Sequence, residues 1–89
     1  MAEHLSIDEL KVLLSTYAVK IPIGSVWTHR KKPDVYYIIC DLVIDEATDA
    51  IAVIYEQKVS WLRFVRLADI FLEQIEKTEY RWPRFVCLP

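Results

Sequence analysis

Val35-Tyr36-Tyr37-Ile38-Ile39-Cys40-Asp41-Leu42-Val43-Ile44 is the stretch on which the fold turns. It is dominated by β-branched and aromatic side chains and carries a single charge, which favours an extended, half-buried segment over a helix. The even positions Tyr36, Ile38, Cys40, Leu42 and Ile44 are apolar, and so are Val35, Tyr37, Ile39 and Val43. A strand apolar on both sides is expected in the middle of a sheet, with both faces covered. One cover would be a helix and the other the interior of a barrel or sandwich.

The neighbouring segments supply partners for such a strand. Downstream, Asp45-Glu46-Ala47-Thr48-Asp49 reads as a hairpin loop, Ala50–Glu56 as the returning strand, and Gln57-Lys58-Val59 as the next turn. Ser60–Arg66 follows as another strand, with Leu62 and Phe64 on one side and Trp61, Arg63 and Val65 on the other. Upstream, Ser25–His29 forms the first strand, broken by the polar turn Arg30-Lys31-Lys32-Pro33-Asp34. Residues 67–72 read as a short helical turn, and Tyr80–Leu88, with Pro83 inside it, as an edge strand or extended tail. The total is four to five strands in meander order.

Before the strands lies one helix. Ser6-Ile7-Asp8-Glu9 fits a capping box, because a serine and a glutamate three residues apart can each bond the other's backbone N–H. Ile7, Leu10, Leu14 and Tyr17 recur at helical spacing, Leu13 widens the stripe, and the helix ends near Tyr17. Pro22 and Gly24, the one glycine, mark an extended connection and a turn. The expected architecture is therefore mainly β with an N-terminal α-helix: a small antiparallel, partly open, SH3-like β-barrel. It forms one domain over residues 1–89, with a helical extension over 1–20 and a β unit over 24–88.

Composition narrows the function. With 89 residues there is room for one core. At 54% hydrophobic and 27% charged residues, the chain is more apolar than its interior needs, so an exposed patch and a homodimer are expected. A net charge of -2 argues against a protein built chiefly to neutralise phosphates, though not against a local basic patch. No apolar run reaches membrane-spanning length, and Met1-Ala2-Glu3-His4 leads into no apolar stretch, so the expected location is cytoplasmic. Cys40 and Cys87 are too few for a disulfide framework or a thiolate zinc site and are expected as buried thiols.

A family pattern runs through the β unit. Gly24-Ser25-Val26-Trp27-Thr28-His29-Arg30-Lys31 resembles the G-x-x-Y-x-H-x-K opening of the small bacterial domain DUF1653. Further along, Tyr36 and Ile38, Thr48, Val53-Ile54-Tyr55, Trp61-Leu62-Arg63, Ile70-Phe71 and Pro83-Arg84-Phe85 resemble its later elements in order. Trp27 stands where the family has tyrosine, Lys32 where glycine is usual, and Val65 where proline often follows the W-x-R element. The resemblance covers roughly residues 24–88 and implies a compact β-barrel-like module. It implies no reaction and transfers no catalytic residue.

The most distinctive chemistry is aromatic and basic: Trp27, His29, Arg30 and Lys31, then Trp61, Arg63 and Arg66, then Arg81, Trp82, Arg84 and Phe85. Aromatic faces stack on flat groups and arginines pair with phosphates and carboxylates, so Trp27, His29, Arg30, Lys31, Trp61, Arg63, Arg66 and Arg84 are candidate binding residues. The plainer alternative places the aromatics in the core and the arginines on its rim. The expected targets are an acidic protein segment, nucleic acid or a small anionic ligand, with no membrane.

Other chemistries are poorly supplied. His29 needs a carboxylate such as Asp41 or Asp69 to do acid–base work in a pocket, and that small-enzyme or accessory-subunit reading is the alternative to binding. Cys40 in an apolar strand is a poor nucleophile. Asp41, Asp45, Glu46 and Asp49 lack the ligand spacing of a calcium loop, and Glu73, Glu76 and Glu79 read as an ordinary charged face, so no metal is expected. No phosphate-cradling glycine loop exists, and no cofactor is implied. The reading reached is a non-enzymatic binding or adaptor module of unknown partner, with a purely structural homodimer as a further alternative.

Overall fold

The computed structural model describes residues 4–77, 80–83 and 85–89. Helix α1 (Ile7–Lys20) is followed by β1 (Val26–His29), β2 (Lys32–Asp45), β3 (Ala50–Gln57), β4 (Arg63–Leu67), the single turn α2 (Ala68–Phe71), β5 (Gln74–Lys77), β6 (Tyr80–Pro83) and β7 (Phe85–Cys87). Five strands form one antiparallel sheet in the order β4-β3-β2-β1-β7, while β5 and β6 pair with each other in a second, two-stranded sheet. The main sheet is open: no ladder joins β4 to β7 among the described residues.

The first turn of α1 carries the capping box read from the sequence. Ser6 N–H donates to Glu9 Oε1 at 3.0 Å, and Glu9 N–H donates to Ser6 Oγ at 3.1 Å. The helix runs past Tyr17 to Lys20, because Pro22 is the first residue that opposes it. Leu13, Leu14 and Tyr17 pack on the core, whereas Ile7, assigned by periodicity to the same stripe, is exposed. At the other end, Ser25 N–H closes a turn on Pro22 C=O, with Gly24 at φ +88°. An alanine Cβ there would meet no atom within 4 Å, so only backbone conformation opposes it. Gly24→Ala is therefore expected to cost about 1 kcal/mol and to lower the melting temperature by about 4–8 °C in a calorimetric scan.

Strand β2 departs from the expectation of a central strand covered on both sides. Ile39 pairs with Tyr55, but Asp41 pairs with Ile54, so Cys40 is the extra residue of a β-bulge. A one-residue insertion exchanges the faces. Tyr37 and Ile39 before the bulge and Leu42 and Ile44 after it all point to the core, which is why both parities of the sequence look apolar. The core lies on this inner face, beneath α1 and α2: Ile21, Trp27, Ile39, Leu42, Ile51, Val53, Tyr55, Ala68, Phe71 and Phe85. Helix α1 thus covers the face that carries the core.

Other boundaries moved. The fourth strand begins at Arg63, because Trp61 takes a left-handed conformation (φ 61°) that ends the preceding turn. Gln74–Lys77, to which the sequence reading assigned no element, is a strand, and the single tail expected over Tyr80–Leu88 is divided between β6 and β7. Glu79 lies outside the described residues. Both cysteines are free; Cys40 is half-buried and Cys87, expected buried, is exposed. No described helix is long and apolar enough to cross a membrane.

Candidate functional site

Antiparallel connectivity sorts the turns. The β1–β2 and β3–β4 turns lie at one end of the sheet, and the β2–β3 turn lies at the other. The first end carries Arg30, Lys31 and Lys32 in and after one turn and Lys58, Trp61 and Arg63 in and after the next. With strands about 4.8 Å apart, the two turns are roughly 10 Å from each other, within reach of a single ligand. Lys58 N–H donates to Tyr36 C=O at 2.9 Å, which ties the β3–β4 turn sideways to β2.

The opposite end is acidic. Asp45, Glu46 and Asp49 occupy the β2–β3 turn, and the first turn of α1 adds Asp8 and Glu9. The attachment is direct: Asp49 accepts from Leu5 N–H at 2.7 Å and pairs with His4 Nδ1 at 3.0 Å. The His4 bond, then the Leu5 bond, hold the Asp49 carboxyl below its ordinary range, and the bonds to Ser6 do the same for Glu9. A lowered carboxylate stabilises the fold above its ordinary pKa and loses that contribution as pH falls through the folded value. Acidification below about pH 4 is therefore expected to free the start of α1 first, seen as lost amide protection at Leu5 and Ser6 while β3 stays protected.

The candidate residues divide between the core and the basic end. Trp27 is 6% exposed; its ring meets Phe71 edge-on at 5.1 Å and its indole N–H donates to Ser25 Oγ at 2.8 Å, so it belongs to the core. Trp61 is 69% exposed at the turn tip, beside exposed Val59 and Leu62. Arg63 donates to Glu56 Oε2 at 2.9 Å, and that bond, first among the causes, raises its pKa above the ordinary value. Arg66 lies half-buried on the inner face with its guanidinium 5.5 Å from the Phe85 ring centroid. His29 meets the same ring edge-on at 5.1 Å, and its Nδ1 accepts from Lys31 N–H at 3.1 Å. Arg30 and Lys31 are exposed, and Arg84 lies outside the described residues.

The carboxylates named for acid–base work are engaged elsewhere. Asp41 follows the bulge, points to the outer face opposite His29, and accepts from Leu42 N–H at 2.8 Å. Asp69 accepts from the Tyr17 hydroxyl, a bond that joins α2 to α1 and raises the phenol pKa. No cluster of three metal-ligating side chains occurs among the described residues. Sequence reasoning left out Lys32 and Lys58 as site residues. Lys32 extended the visible Arg30-Lys31 run, but only strand pairing brings Lys58 to the same end.

Among solved structures, the chain is similar to a DUF1653 protein from Bordetella bronchiseptica. The match has a TM-score of 0.56 at 25% identity and covers 70% of this chain and 81% of that one. This likeness supports the DUF1653 resemblance carried by the sequence motifs. No family model matches it, and no curated protein matches it. Within this chain, the W-x-R element Trp61-Leu62-Arg63 is the exposed, basic-end turn, whereas Phe71 and Phe85 sit in the core and Ile70 is exposed.

Proposed function

We propose that this chain is a non-enzymatic binding module whose basic end takes single-stranded nucleic acid. The observation that carries the reading is the exposed Trp61 on a turn that shares one sheet end with Arg30, Lys31, Lys32 and Lys58. A base can stack on Trp61 while its backbone phosphates meet the cations. An acidic peptide would satisfy the cations and leave the indole face without a flat partner. The acids gathered at the far end reconcile a net charge of -2 with a locally basic surface. Phe85 reaching beneath β3 supports reading the curled sheet as a partly open, SH3-like barrel.

The test is a titration of a labelled single-stranded oligonucleotide, in parallel with a polyglutamate peptide, at two salt concentrations. If the four cations each meet one phosphate, affinity is expected to fall roughly 50-fold between 50 and 200 mM salt. Preference for the peptide, or binding that ignores salt, would count against this reading.

A further inference from the structure

We infer that β4 is a dimerisation edge, through which two copies join antiparallel with Val65 of each at the two-fold axis. Strand β4 closes one side of the main sheet and has no strand beyond it among the described residues. Its pairing with β3 dictates which groups face outward. Gln57 N–H donates to Leu62 C=O at 2.9 Å, and in that register bonded pairs alternate, so Phe64 and Arg66 turn their backbone groups toward β3. The N–H and C=O of Arg63 and Val65, and the N–H of Leu67, are left along the outer edge.

Natural sheets guard such edges with proline, bulges or inward charges. Between Arg63 and Leu67 there is no proline and the β3–β4 register carries no shift, while the inward charge on this strand, Arg66, lies over the Phe85 ring of its own chain. The edge instead shows apolar surface: Val65 is 68% exposed and Phe64 40%.

The side chains select the partner and the register. Centred on Val65, an antiparallel copy sets valine against valine on the outer face and Arg63 against Leu67. On the inner face it sets Phe64 of each copy opposite Arg66 of the other, at the short spacing of a non-hydrogen-bonded pair. Arg66 already lies over the Phe85 ring of its own chain, so the partner's Phe64 ring would meet the guanidinium from its other side, and the two-fold axis makes that arrangement twice. Centring on Arg63 or Arg66 would place like charges face to face, and centring on Leu67 would drive the copy into α2. Centring on Phe64 would set Arg66 against Leu62 and forgo both cation–ring pairs. A sequence this self-complementary across one axis fits a second copy better than an arbitrary peptide.

The edge also permits a clean test. Because the Val65 N–H points away from β3, Val65→Pro removes a bond only from the outer edge. Val65→Lys sets like charges across the axis without touching the backbone. Sedimentation of the full chain is expected to show a concentration-dependent dimer, and both variants are expected to sediment as folded monomers with unchanged far-ultraviolet circular dichroism. In a Cys87→Ser background, Val65→Cys should form an intermolecular disulfide under mild oxidation. A wild-type chain that stays monomeric to roughly 0.5 mM, or a dimer insensitive to both Val65 changes, would overturn the inference.

Discussion

Phe71→Ala is expected to cost about 3–5 kcal/mol, the range for emptying a fully buried aromatic site. Phe71 is 0% exposed, stacked on Phe85 with centroids 4.3 Å apart and planes at 10°, and met by Trp27 at 5.1 Å and Tyr55 at 5.3 Å. The site cannot easily collapse around the loss, because its walls Trp27, Tyr55 and Phe85 stand on β1, β3 and β7 of the main sheet. A chain of this length has roughly 5–13 kcal/mol of total stability, so the change removes a large share. Thermal unfolding followed by circular dichroism should show a midpoint lowered by about 15–30 °C. Phe71→Leu, which keeps most of the volume, should recover more than half of that shift. Equal midpoints for the wild type and Phe71→Ala would mean that α2 does not close the core.

The second large effect concerns binding and has the opposite stability signature. Trp61 sits at φ 61°, a conformation that costs an L-residue about 1–2 kcal/mol and that glycine adopts freely. A residue retained for folding would not be a tryptophan there. Trp61→Gly is therefore expected to leave the melting temperature unchanged or raise it by a few degrees, while oligonucleotide affinity falls about 10-fold or more with the loss of base stacking. Trp61→Phe, which keeps a stacking face, should retain most of the affinity. A Trp61→Gly variant that binds like the wild type would remove Trp61 from the site. One that melts well below the wild type would make the residue structural.

Local chemistry was readable from the residues; the consequences of pairing were not. Ser6 and Glu9 announce the start of α1 because a capping box is satisfied within four residues. Gly24 announces its turn in the same way. The central strand was recognisable as a strand, yet its apolar pattern suggested two covered faces, since a bulge at Cys40 leaves no mark in composition and only the partner strand reveals it. Strand Gln74–Lys77 went unassigned for a related reason: its pattern is too short to stand out, and only its pairing with β6 defines it. At the site, the Trp61-Leu62-Arg63 element stood out in sequence, and so did the Arg30-Lys31-Lys32 run. Nothing in the sequence separated exposed Trp61 from buried Trp27, because each indole is judged by its neighbours across the sheet. Trp27 lies between Tyr37 and Cys87 on two flanking strands, while Trp61 leaves the ladder altogether.

The segregation of charge along the sheet has a kinetic consequence. A body with cations at one end and carboxylates at the other feels a torque in the field of a polyanion, over a range set by the screening length of about 8–10 Å. It turns before it touches, so that Trp61 and its lysines arrive first and the acidic turn with the start of α1 trails behind. Encounters with a polyanion that would otherwise fail for wrong orientation would become productive, although the molecule as a whole is itself negatively charged.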